Sequence, residues 1–332
     1  MKNAAIFTVL FILLIPLYAV SESPSSEVRD KEVKSFDMKP GGQLIVESND
    51  GFIRVKSWNE DRVEVTMLKR AWAKDKRDAE RLLEIIEIDI DHRGNKLYIR
   101  DVTDNNRDRN VGLLDLIRGD WDEGTTVDFE IMVPEEMNLD FTADDGDMRI
   151  ANVRGEFSFN LDDGDLTIED CRSDRIEAEL DDGDIEIDNM EPLSGAGTGL
   201  IFIAVDDGNV FLRRTKINAV DIEGEDGEIV FRDVELKDLD VNLDDGDFEA
   251  DMNIRESGKV RINLDDGDVD IDLPEELSAY FNLYAYDGRI RTNFPVEIER
   301  DDNRSWVRER IGNGDTNIRI EVDNGYIVIN HR

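Results

Sequence analysis

The chain has 332 residues, 80 of them Asp or Glu against 40 Lys or Arg, giving a net charge of −40. A field this negative repels nucleic acid and anionic lipid, so no nucleic-acid partner is expected, anionic lipid is a poor one, and cations or a basic surface are what it attracts. Cys171 is the single cysteine, so an intramolecular disulfide is excluded as well.

At the N-terminus, Met1, Lys2 and Asn3 precede an uncharged run from Ala4 to Val20. A short positive region, an apolar stretch and the small residues of Ala19-Val20-Ser21 read as a signal peptide over residues 1–21. The competing reading, an uncleaved anchor, is disfavoured by Pro16 and by the length of the run. The mature chain is therefore expected to be exported, to the periplasm, the cell surface or the medium, with no membrane insertion after cleavage. Residues 22–35 are polar and are expected to form a flexible tether. Residues 36–135 read as a β-rich N-terminal part. Within it Ala79, Leu82, Leu83 and Ile86 fall at helical spacing, which predicts one short helix at about 74–86. A hairpin is expected around Arg93-Gly94-Asn95, and residues 103–124 read as a long loop.

Residues 136–294 are repetitive. Asp-Asp-Gly-Asp recurs at 144–147, 162–165, 181–184, 244–247 and 265–268, with variants centred on Gly208, Gly227 and Gly288 and outlying copies at Gly51 and Gly325. Aligned on their glycines, the ten copies are apolar seven, five and three residues before and two and four after, in 47 of 50 slots. Alternation on both sides of a turn predicts two half-buried strands per repeat. An Asp-Gly pair between alternating strands also suits an antiparallel meander of hairpins. The near-constant repeat of 18–25 residues favours coils that stack in register, an all-β solenoid of about 19–21 residues per rung. Ser194–Gly199 is an insertion in one repeat, and residues 295–332 break the period as an irregular rung or cap.

With its "apolar-x-apolar-x-x-Gly-Asp-apolar-x-apolar" rungs, the chain resembles the bacterial adhesin-like domain family of unknown function. The resemblance lies in Leu44–Val55, in the Val127–Pro134 strand ending in Val-Pro, and in the rungs from Leu139 to Ile290. It implies a β-helix-like fold and a place outside the cytoplasm, and it implies no chemistry. Family members commonly carry Ser-Gly-Asp at the corner, so Asp-Asp-Gly-Asp makes this chain unusually acidic for the pattern.

Chemistry is sparse. The only histidines are His92 and His331, no Ser-His-Asp, Cys-His or zinc spacing is present, and the Gly-rich 195–199 loop lacks Gly-Lys-Ser/Thr. Cys171 occupies an apolar slot and is expected in the core. No catalytic residue or organic cofactor is expected. The metal candidate is the carboxylate ladder that stacked coils would build from Asp145, Asp163, Asp182, Asp207, Asp245 and Asp266, joined by Asp165, Asp184, Asp247 and Asp268. Oxygen-only ligands suit calcium. The competing reading is that Asp is a preferred turn former and that ordinary salt screens the row. Phe202, Phe211, Tyr284 and Tyr286 fall in outward slots and are candidate ligand contacts. The expected function is an exported, non-enzymatic binding or scaffold protein whose ligand is a cell surface, a polysaccharide or a protein. The alternative is a carbohydrate-active β-helix enzyme, a polysaccharide lyase or hydrolase.

Overall fold

The architecture follows from one repeat. In Phe157-Ser158-Phe159-Asn160-Leu161 the odd positions are buried and the even ones face water, the period-2 pattern of a strand with one face on a core. Asp162–Asp165 turns the chain, and Leu166 and Ile168 re-enter the interior. The computed structural model describes residues 26–103, 123–195 and 197–332, and shows this unit stacked on its neighbours with every strand parallel to its counterpart. Phe157 lies opposite Leu139 on one side and Ile176 on the other, and Asp163 opposite Asp145 and Asp182. Asp-Gly is thus a corner within each coil. The parallel register rules out the antiparallel meander, whose Asp-Gly would join two paired strands.

A second corner follows the second strand, where Asn152, Asp170 and Asn189 take left-handed φ of 60°, 52° and 55°, a conformation Asn and Asp tolerate. The short third side carries isolated parallel bridges, Glu136 to Arg154 to Arg172 to Glu191. Inside, one continuous core of Val, Ile, Leu and Phe runs the length of the stack. Phe141 and Phe159 meet edge to face across adjacent coils at 5.8 Å, as do Phe231 and Phe248 at 5.3 Å.

The corner glycines form a column. A Cβ on Gly164 would lie 2.6 Å from the carbonyl oxygen of Gly146, and one on Gly227 would lie 2.8 Å from the carbonyl carbon of Gly208. Each coil therefore rests its corner on the bare backbone of the coil below, which no side chain permits.

The two ends depart from sequence order. At the first end, the Gly51 coil pairs directly with the Gly146 coil, Leu44 opposite Leu139. The intervening chain runs outward through strands Arg62–Ala73, Ile88–Arg93, Lys96–Asp101 and Gly124–Pro134 and returns. The helix occupies Lys76–Glu84, with the Asp75 side chain accepting from the Asp78 backbone N–H at its start. Residues 22–35 are not a tether throughout: Ser26–Asp37 is a strand, paired antiparallel along its full length with Arg62–Ala73. Its charged composition conceals it, because an edge strand held by main-chain hydrogen bonds needs little apolar alternation and benefits from charge.

At the other end, Thr316–His331 is one regular strand pair running through the corner Asn324-Gly325. It is seated between the Gly267 and Gly288 coils, parallel to both, with Ile318 opposite Val260 and Phe281. The last coil in sequence is therefore the penultimate one in space. Strand Arg304–Ile311 then folds back antiparallel on Ala279–Ala285 and covers the end. The expected signal segment and most of the expected 103–124 loop lie outside the described residues. Among the described residues no helix is long and apolar enough to cross a membrane.

Candidate functional site: the acidic corner and the C-terminal groove

The register places Asp145, Asp163, Asp182, Asp207, Asp226, Asp245 and Asp266 in a single column beside the glycines, all exposed. Removal from water by neighbouring coils, then the flanking Asp163 and Asp207 carboxylates, holds the Asp182 carboxyl above its ordinary value. The same causes, with Asp266 and Asp226 as neighbours, act on Asp245. Like charges one coil apart disfavour the ionised form.

The aspartates after the glycines do different work. Asp165 accepts the backbone N–H of Asp184 at 3.0 Å, Asp184 that of Asn209 at 2.9 Å, Asp247 that of Asp268 at 2.8 Å, and Asp268 that of Tyr326 at 2.8 Å. These four carboxylates of the expected metal set form a ladder of charge-assisted bonds between coils. The expected metal set thus separates into two columns, one spent on the backbone and one open to solvent beside the exposed first acid of each corner. Among the described residues, no group of three or more His, Cys, Asp or Glu side chains converges as metal ligands.

The four aromatic candidates also separate. Phe202 lies between Glu177 and Asp221 on the first strand face, whereas Phe211 lies between Glu186 and Val230 on the second, with the Arg213 guanidinium 5.5 Å from its ring centre. Tyr284 and Tyr286 come together: their rings stack at 5.9 Å with 22° between planes. Arg308 caps Tyr284 at 4.9 Å, and Trp306 is its antiparallel cross-strand partner. Tyr286, 43% exposed, borders a groove of about 900 Å³ together with Arg304 and the carboxylates of Asp301, Asp302, Glu321 and Asp323.

Sequence periodicity missed Trp306, Arg304, Arg308 and the Asp301–Asp302 pair because they lie in the segment where the period breaks. The available signal was Tyr286-Asp287-Gly288-Arg289 itself, a corner that keeps Asp287 and its glycine and replaces the two outer acids by Tyr and Arg. Cys171 is buried, and loss of water contact pushes its thiol up to about 12.

No curated protein matches the chain. Among solved structures, a candidate cell adhesion protein from Clostridium sporogenes aligns at 12% identity, covering 91% of this chain and 100% of its own, with a TM-score of 0.22. A candidate lipid binding protein from Parabacteroides distasonis aligns at 10% identity, covering 91% and 97%, with a TM-score of 0.38. A candidate adhesin from Bacteroides fragilis gives 10%, 91% and 97%, with a TM-score of 0.36. The profile of the Toastrack family, DUF4097, matches residues 126–196 and 201–330. That span covers the stacked coils from the strand before the Gly146 coil to the inserted C-terminal coil, and the chain belongs to the Toastrack family.

Proposed function

We propose that the protein is an exported, non-enzymatic binding module whose C-terminal groove takes a neutral or amine-bearing polysaccharide. The observation that carries this reading is Tyr286, backed by the stacked Tyr284 ring and exposed at the rim of a groove lined by carboxylates and Arg304. Tyrosine faces offer a flat apolar platform for the C–H faces of sugar rings, and carboxylate pairs accept hydroxyl donors. The acidity of the groove and of the whole chain selects against anionic polymers. Export is supported by the secretory-type run from Met1 to Ser21. The rest of the stack is a scaffold that holds the groove at one end of a long acidic rod.

Titration calorimetry of the mature chain with neutral and amino-sugar oligosaccharides tests this. Binding is expected, weakened roughly two- to tenfold in Tyr286→Ala, since one aromatic contact is worth about 0.5–1.5 kcal/mol. Failure of every such sugar to bind, or binding indifferent to Tyr286→Ala and Tyr284→Ala, removes the reading. Turnover of the sugar would replace it with the β-helix enzyme.

A further inference from the structure

The third side of the solenoid carries a second, chemically opposite feature. Beside the 194–199 insertion lies a cleft of about 160 Å³, floored by buried Ile217 and Pro192 and lined by Arg172, Lys216 and Arg255. Arg172 and Lys216 occupy equivalent positions eight residues after their corner glycines. Arg255 comes from a coil two further along and reaches back across the face to donate to the Ile217 carbonyl oxygen at 2.7 Å. Arg172 donates to the Pro192 carbonyl oxygen at 3.1 Å. Each guanidinium is thereby anchored by one Nη on main chain and held in place.

Among the described residues none of the three cations makes a salt bridge, although Glu191 and Glu235 line the same cleft. The Nε atoms of Arg172 and Arg255 are out of contact with water and have no hydrogen-bond partner. An unpaired buried donor is costly, and more so when charged. Other cations among the described residues are also unpaired; what sets the cleft apart is that two guanidinium groups with unsatisfied Nε atoms and a lysine line it together.

We propose that this cleft is a binding site for a compact oxyanion, the size of one carboxylate, sulfate or phosphate group. Two pre-positioned guanidinium forks suit the planar or tetrahedral oxygens of such a group, and the lysine adds a point charge. The volume admits the acidic group and little more, so a larger ligand would present it as a terminal or pendant group. The site is separate from the tyrosine groove, on another side of another coil.

The experiment is an NMR titration of the full mature chain, following the arginine Nε–Hε resonances, assigned through Arg172→Lys and Arg255→Lys. Acetate, sulfate and phosphate are added separately, with chloride at matched ionic strength as control. Saturable shifts of the Arg172 and Arg255 resonances with at least one oxyanion, and none with chloride, are expected. Comparison of the three anions identifies which oxygen geometry the cleft prefers. Lys216→Gln, on an exposed position, is expected to keep the fold and weaken binding about tenfold. Linear, non-saturating shifts shared by all four anions, or affinity unchanged in both Lys216→Gln and Arg255→Lys, overturn the proposal.

Discussion

In the coils from Gly146 to Gly267 the corner presents carboxylates on both sides of its glycine in nearly every copy; at Gly325 and Gly288 the same corner presents Tyr326, Tyr286 and Arg289. The backbone does not register the change. Asp287 and Asn324 remain in register with each other and with Asp266, and Tyr326 still donates its N–H to the carboxylate of Asp268. The glycine is demanded by the close approach of neighbouring backbones, whereas the acids are a surface choice that can be withdrawn. Where tyrosine and arginine replace some of them, beside the retained Asp287 and Asp323, the groove lies. The middle of the rod is thus regular because packing requires it, and acidic because nothing in the packing prevents it.

The comparison breaks first at the glycines. Gly227→Ala puts a Cβ against the Gly208 carbonyl at a φ of +146°, and Gly288→Ala puts one 2.8 Å from the carbonyl carbon of Gly325. Both are expected to cost about 3 kcal/mol or more in chemical unfolding. Gly197→Ala, with no heavy atom within 4 Å, is expected to stay within about 0.5 kcal/mol. A mild Gly288→Ala would mean that the C-terminal coil does not share the stacking rule.

A smaller effect separates the acidic corners from the rest. Asp144, Asp182 and Asp245 are raised above 3.8, by loss of water contact first and neighbouring carboxylates second. A carboxyl raised on folding binds protons more readily in the native state, so stability increases as pH falls from neutrality towards 3.8. Asp174 works the other way: hydrogen bonds from Ser194 and Thr198 outweigh its desolvation and lower it, so its contribution is lost only as pH falls below 3.8. Thermal unfolding across this range should therefore show a rising midpoint before acid destabilisation begins. Asp182→Asn should flatten the rise; an unchanged profile would show that the column repels too weakly to matter.

The smallest expected difference is between ions. With one open carboxylate per coil in the column, calcium and sodium at equal ionic strength should stabilise alike, by screening. A calcium-specific rise that disappears in Asp163→Asn combined with Asp182→Asn would make the column a metal site.

Much of this was legible in the chain of letters. The phase of Phe157, Phe159, Leu161, Leu166 and Ile168 about Gly164 dictates two strands and a corner, because side-chain direction in a strand alternates without regard to anything distant. The exposure of Tyr284 and Tyr286 could be read from the same phase. Their stacking, and the company of Trp306 and Arg304, could not, since these come from a hairpin whose partner is chosen in three dimensions. The strand Ser26–Asp37 was hidden for a related reason: its stability resides in main-chain pairing with Arg62–Ala73, to which composition is nearly blind.

The sequence by itself determined the coil, its length, its buried positions and its acidic corner, all consequences of local geometry and period. Only the tertiary structure decided the order of the coils, with Gly325 seated between Gly267 and Gly288, and the meeting of Arg172, Lys216 and Arg255 in one cleft. Any in-phase strand presents the same ladder of N–H and C=O groups, so which coil docks on which is settled by packing over the whole stack.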